Sequence, residues 1–289
     1  MKKIISLCLV ALMLALCFVS CAEDKNDTEE TSAPAKVESS DATEDTTAPT
    51  NTGKDNDEMT AERYAKAYDA AANKVFTPLE APSATSLVRP MSFNDPSAEN
   101  NSNYYAVGAY LLFLRNLYET EGYEITEEAV KVSATCKMTV NGQEAEMKEN
   151  FVMRSYRTED GMLRNDLHSA DPNRAGTYMV MRIDVDYDFA TDVLSGFDMS
   201  LMLISNGEVM QFEYFVYDGT TVKILDNDVK DDDYNNAVKV AEERRDDIVS
   251  RLAGAKDIGD YSEQYTNAMK EQVRRAYPDV TVTSYRFAA

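Results

Sequence analysis

The sequence predicts an α+β domain, an antiparallel β-meander of about 7–8 strands with N-terminal helices and a C-terminal helix pair packed on it. Three observations predict it. From Val130 to Leu225 apolar and polar residues alternate at the period of a half-buried strand. The run is punctuated by Asn141-Gly142, Asp160-Gly161, Asn206-Gly207 and Asp218-Gly219, pairs that tolerate the left-handed conformations of hairpin turns. On both flanks the apolar spacing lengthens to that of an amphipathic helix.

In chain order, the first helix runs from Thr60 to Val75, with Thr60 as N-cap and Tyr64, Tyr68, Ala71 and Val75 on its apolar face. Pro78, Pro82, Pro90 and Pro96 then break the chain into a long irregular connection. Leu79, Leu87, Val88, Met91 and Phe93 make it a cover laid over the core. Asn103 caps a second helix, Tyr104 to Thr120, whose stripe of Val107, Tyr110, Leu111, Leu114, Leu117 and Tyr118 is broad enough for substantial burial, and Gly122 ends it.

The strongest alternation places Val130, Val132, Ala134, Cys136, Met138 and Val140 on one face. A two-residue turn at Asn141-Gly142 sets Met138 against Ala145, Cys136 against Met147, Val132 against Phe151 and Val130 against Met153. The same register puts Glu149 opposite Ala134 on that apolar face. A buried lone carboxylate is costly, so a bulge that turns Glu149 outward is expected. At Asn206-Gly207 the same rule pairs Leu203 with Met210, Leu201 with Phe212 and Met199 with Tyr214, and the face continues through Val222 and Ile224. The opposite face of the later strands is also partly apolar, with Tyr178, Val180, Met202, Ile204, Val209, Phe215 and Tyr217. Strands apolar on both sides are covered on both sides. Either helices pack on each face, or the sheet curls around a cavity.

Asp231 serves as N-cap of a helix carrying Tyr234, Val238, Ala241, Ile248 and Leu252, closed by Gly254. Asp260 opens another, with Tyr265, Met269, Gln272 and Ala276, which stops before Pro278. Val280 to Phe287 is a final strand added to the sheet.

The N-terminus reads as an address. Lys2-Lys3 precedes an apolar run from Ile4 to Val19, the length of a signal-peptide core and short of a membrane span. It ends Phe18-Val19-Ser20-Cys21, which resembles the lipobox of bacterial lipoproteins, with Phe18 standing where that pattern prefers Leu. The resemblance covers the first 21 residues and implies that residues 1–20 are removed and that Cys21 carries lipid, palmitate included, as the new N-terminus. Residues 22–58 are Thr, Ser, Ala, Pro and acidic residues, with only Lys25, Lys36 and Lys54 in opposition, a segment too polar to bury a core. The expected organisation is a signal peptide (1–20), a lipidated cysteine and disordered acidic linker (21–58), and one α+β domain (59–289) outside the cytoplasm at the cell envelope. The domain then keeps Cys136 alone and forms no internal disulfide.

Composition excludes some function classes. Across 289 residues the formal net charge is -22, and no basic run follows Lys2-Lys3, so phosphate backbones and anionic head groups are poor partners. His168 is the only histidine and falls in a polar stretch, Asn165 to Asn173, read as a loop, so neither a His triad nor a zinc site is expected. Cys136 faces the core with no signature of a catalytic thiol. Asp184, Asp186 and Asp188 share one side of a strand, which reads as a solvated polar face rather than a Ca²⁺ site. No cofactor motif is present.

Met138, Met147, Met153, Met179, Met181, Met199, Met202 and Met210 all fall on predicted strands, where methionine either fills an ordinary core or lines an adaptable ligand surface. The anchor, the two-sided strands and the missing catalytic groups point to a binding module, not an enzyme. Its expected ligand is apolar, a lipid or peptide, held by Met202, Phe215 and Tyr178. The alternatives are a scaffold or accessory protein of an envelope complex, marked by an exposed apolar patch, and a carboxylate-based hydrolase, marked by converging acids in a cleft.

Overall fold

The computed structural model describes residues 59–76, 102–140, 143–170, 175–220, 222–226, 232–276 and 285–287. Within these, α1 (Ala61–Phe76) and α2 (Ser102–Tyr118) precede seven strands. The strands are β1 (Val130–Val140), β2 (Gln143–Arg157), β3 (Leu163–Ala170), β4 (Thr177–Asp188), β5 (Val193–Ser205), β6 (Glu208–Tyr217) and β7 (Val222–Asp226). The chain continues through α3 (Asp232–Arg251), β8 (Lys256–Asp260), α4 (Ser262–Ala276) and β9 (Tyr285–Phe287). All nine strands form one sheet of order β7-β6-β5-β4-β3-β2-β1-β8, with β9 also on β1, so the fold is the α+β meander expected. The export signal, Cys21, the acidic linker, the proline-punctuated connection, Asp231 and the Asn141-Gly142 turn lie outside the described residues.

Local chemistry sets the helix ends. The Arg63 amide donates to Thr60 Oγ1 (3.3 Å), the expected N-cap of α1, and the Ser262 amide donates to Asp260 Oδ1 (2.7 Å) at the start of α4. Ser262 Oγ accepts from the Thr135 amide (2.8 Å), which ties α4 to β1. Gly122 and Gly254 take positive φ (80° and 79°) beyond the ends of α2 and α3, as C-terminal glycines do. On one face of the sheet lie α1, α2 and α4, with α2 between the other two and buried on most sides, which explains its broad apolar stripe. Arg115 of α2 binds Asp69 of α1 and Glu271 of α4, joining the three helices at their outer edge. On the other face, among the described residues, lies α3 alone. Helices on each side is the branch the sequence left open, and the structure takes it.

The first hairpin has the predicted register throughout, Met138 opposite Ala145 and Val130 opposite Met153. It contains no bulge, so the expectation that Glu149 turns outward is wrong. Glu149 stays opposite Ala134 at 7 % exposure and accepts a hydrogen bond from Ser169 Oγ (3.2 Å). Slipping β2 by one residue would have turned Phe151 and Met153 out of the core, a greater loss than burying one hydrogen-bonded carboxylate.

The second hairpin departs from prediction. The turn at Asn206-Gly207 forms, with φ of 51° and 86°, and Ile204 pairs with Val209. A bulge then shifts the ladder so that Leu203 meets Gln211, Leu201 meets Glu213 and Met199 meets Phe215. Met210 is left 46 % exposed. The shift puts Phe215 on the three-helix face, stacked on Phe197 (4.8 Å), and Phe212 on the α3 face against Tyr234 (5.6 Å). It also keeps Glu213 off the face where Asp184 and Asp198 already stand, sparing a third like charge there.

Two polar segments also differ from expectation. His168 lies within β3, half-buried and tilted against Tyr178 (5.2 Å), not in a loop, and burial pulls its pKa down. Asp184 is buried and ion-paired, so it is no part of a solvated face. β8 was not foreseen: Lys-Asp-Ile-Gly-Asp has one apolar side chain and forms a strand only because β1 offers it a parallel edge.

Of the eight strand methionines, Met138, Met147, Met153, Met179, Met181 and Met199 fill the three-helix core, the ordinary use of the residue. In that core Tyr110 Oη donates to Asn165 Oδ1 (2.9 Å), whose amide donates to Ser155 Oγ (2.8 Å). Tyr265 Oη, by contrast, is buried without a hydrogen-bond partner among the described residues. Tyr265→Phe is therefore expected to leave stability unchanged or raise it by up to about 1 kcal/mol, because it removes a desolvated hydroxyl and keeps the ring packing. Urea unfolding of the variant checks this, and a loss of about 1 kcal/mol or more would show that the hydroxyl is bonded in solution.

Candidate functional site

The α3 face of the sheet carries a line of side chains at strand period: Arg164, Asp166 and His168 on β3, Val180, Arg182 and Asp184 on β4, Asp198, Ser200 and Met202 on β5, and Phe212 and Tyr214 on β6. α3 crosses this floor and is pinned at its ends by larger residues, Tyr234 on Phe212 at one and Ile248 with Leu252 at the other. Between them it presents Ala237 and Ala241. Short side chains there leave the helix standing off the sheet over a cleft of about 400 Å³. Its floor is Arg164, Val180, Arg182, Asp184, Asp198, Ser200, Met202 and Tyr214, and its roof and rim include Asn236, Val240 and Arg244.

The charges in the floor are ordered by strand register. Arg164 and Asp184 stand directly opposite each other and form a bidentate pair, Nε to Oδ1 at 2.6 Å and Nη2 to Oδ2 at 2.8 Å. One step along, Asp166 opposes Arg182 with the signs reversed, and the pair is again bidentate (2.7 and 3.1 Å), with Tyr156 Oη adding a third donor to Asp166 (3.3 Å). Two guanidinium charges are thus each balanced by a carboxylate within the sheet.

Asp198 breaks the alternation. It stands directly opposite Asp184 on the side away from Arg164. Among the described residues no side-chain hydrogen bond or ion pair engages it. Burial first, and then the Asp184 carboxylate, push the Asp198 carboxyl up to about 7, against the weaker pull of Arg164, Arg244 and Arg182. Ser200 lies two residues along the same strand face, opposite Tyr214. Burial and the Asp198 and Asp184 carboxylates push the Tyr214 phenol up to about 12, so it stays a neutral hydroxyl. A cleft with a free carboxylate near neutrality, two hydroxyls and an apolar end is equipped to bind a small polar or amphipathic molecule, or to move a proton.

The three residues expected to hold a ligand do not come together. Met202 lines the cleft. Tyr178 shares its face but packs on His168 and is absent from the cleft lining. Phe215 was assigned to this face and lies on the other one, moved there by the bulge after Leu203. Asp198, Ser200 and the two arginines were missed. Their signal was present as opposite charges at period two on neighbouring strands, Arg164 with Asp166 and Arg182 with Asp184, but it required β3 to be read as a strand.

Elsewhere a groove of about 540 Å³ between the Gly122–Val130 segment and β8 carries Glu124, Glu128 and Asp257, all exposed and converging on nothing. Among the described residues no group of three or more His, Cys, Asp or Glu side chains is arranged to hold a metal ion. No helix among them is long and apolar enough to cross a membrane. Cys136 is free and buried, its thiol pushed up by burial. No family model, no curated protein and no solved structure matches the chain.

Proposed function

We propose that this chain is a lipid-anchored binding module outside the cytoplasm, held to the membrane through Cys21 and the 22–58 linker, with its ligand site in the cleft beneath α3. The anchorage rests on the lipobox resemblance. The observation that carries the ligand site is Asp198, a carboxylate with no hydrogen-bond or ion-pair partner among the described residues, in the floor of a ligand-sized cleft whose other floor charges are paired. The two aspartates beside it, Asp184 and Asp166, are clamped by arginine, so one left unclamped, at a cost to stability, marks a site kept for something else. The lining joins charge to hydrocarbon, which favours a small amphipathic ligand over the wholly apolar one that the methionine content suggested.

The scaffold alternative has less behind it. Ile125, Val193, Met210 and Val240, the large apolar residues most exposed among those described, sit on a loop, β5, β6 and α3, and do not form one patch. A hydrolase reading draws on one observation, the opposition of Asp184, ion-paired with Arg164, to Asp198, unpaired and pushed up to about 7, the asymmetry that an acid and base pair needs.

The test is native mass spectrometry of protein purified from its own cells, with solvent extraction of whatever travels with it. A small-molecule adduct on the wild type that disappears from Ala241→Phe, a variant with the cleft filled, is the expected result. An adduct retained by the filled variant, or a wild type that carries none, would remove the ligand site from beneath α3.

A further inference from the structure

Building on the cleft as the ligand site, we infer that its ligand is an organic cation, a protonated amine with a short apolar tail, whose ammonium group docks on Asp198 beside Ser200 and Tyr214. The hydrogen-bonding capacity left in the floor is what selects it. The guanidinium charges of Arg164 and Arg182 are balanced by the bidentate carboxylates of Asp184 and Asp166, so an anionic ligand in the floor would compete with a carboxylate already seated on each arginine. Arg244, the remaining cation, lines the rim on the cleft-facing stripe of α3 with its side chain largely in solvent, and an anion reaching from it toward the floor would meet Asp198 and Asp184 together. What the floor does offer is a carboxylate and two hydroxyl oxygens, all able to accept, on adjacent positions of β5 and β6. An ammonium group has three donors and the charge opposite to that of Asp198, the floor carboxylate that no arginine pairs among the described residues.

The rest of the cleft fits the rest of such a molecule. Met202 and Val180 continue the floor away from Asp198, and Ala237, Ala241 and Ile248 close over them from the helix. The volume, about 400 Å³, is at the small end of ligand sites, which suits a tail of a few carbons and not an acyl chain.

The same geometry makes binding depend on pH. The groups facing Asp198 are Asp184 and Arg182 from β4, Arg164 from β3, Tyr214 from β6 and Arg244 from α3. Their sum, with burial, leaves the carboxyl at about 7, whereas an alkylamine stays protonated well above that. Affinity follows the ionised fraction of Asp198 and is expected to rise about tenfold from pH 6 to pH 8.

Hexylamine, hexanol and hexanoate share one tail and differ in charge, so they separate the two levels of the proposal. Each is titrated into the protein carrying ¹³C-methyl methionine, with the Met202 resonance, identified by its loss in Met202→Leu, as the reporter of the cleft. The expected result is that hexylamine shifts Met202 at least about tenfold more tightly than the other two, that the preference grows from pH 6 to pH 8, and that Asp198→Asn abolishes both effects. Equal binding of hexanol, or tighter binding of hexanoate, would overturn the amine and leave the cleft as a ligand site. No movement of Met202 with any of the three would overturn the cleft as well. Asp198→Asn removes charge repulsion and is expected to fold at least as stably as the wild type, so a loss of binding in it reports recognition.

Discussion

Arg182→Met is expected to cost about 3–5 kcal/mol of folding stability, the largest effect of any single polar substitution in the sheet. Asp166 is 0 % exposed and Arg182 6 %, and the two face each other across the middle of β3 and β4. The pair gains little over an apolar core, because taking both ions out of water costs about what their attraction returns. Breaking it is another matter. Without the guanidinium group, Asp166 keeps the Tyr156 hydroxyl at 3.3 Å as its nearby donor and must hold a charge, or take up a proton, under α3. The double variant Asp166→Leu with Arg182→Met, which removes both charges, is expected to recover most of the loss. Urea unfolding followed by far-UV circular dichroism measures all three proteins. A single-variant cost below about 1 kcal/mol would mean that water reaches the pair, and the ordered charges in the cleft floor would lose their low-dielectric setting.

That pair also shows what the sequence made legible. The meander, the helices and the register of the first hairpin followed from alternation, caps and one two-residue turn, all properties of residues close together in the chain. Glu149 was placed correctly by the register and then misjudged, because its partner Ser169 belongs to another strand. The second hairpin failed one residue beyond a correctly read turn. Nothing local marks the bulge at Met210, whose advantage lies in Phe215 meeting Phe197 and Glu213 avoiding the acidic face. The cleft was invisible for the same reason. Its floor takes residues from four strands, and its depth comes from Ala237 and Ala241, ordinary helix residues until the sheet beneath them is known. β3 hid the arginines further, since Asn165, Asp166 and His168 have a loop's composition and form a strand because two long neighbours pair with it.

Asp198→Asn is expected to stabilise the protein at pH 8 by up to about 4 kcal/mol and to change it little at pH 4, an effect of opposite sign to that of most buried carboxylates. The ordinary pKa of the group is 3.8, and in the fold it stands at about 7. Between those values the folded state holds more of the proton than the unfolded state, so the wild-type contribution falls as pH rises through this window. Below about pH 4 both states are protonated and the site costs nothing; above about pH 7 the full cost of an ionised, desolvated carboxylate beside Asp184 is present. Glu271, whose pKa Arg115 and Arg275 pull down, and Asp260, lowered by its bonds to Ser262, contribute in the opposite sense, so the wild-type profile alone mixes signs. The difference between wild type and variant isolates Asp198. Chemical unfolding at several pH values from about 4 to 8 should give a gap that opens with pH, and a gap that stays flat would place Asp198 in contact with water and leave it no special standing. If the gap opens, the residue most costly to keep ionised is also the one with a free carboxylate facing the cleft. The substitution that relieves the cost should then be the one that ends recognition of hexylamine, and a ligand ammonium would return to the fold much of what the empty site gives up.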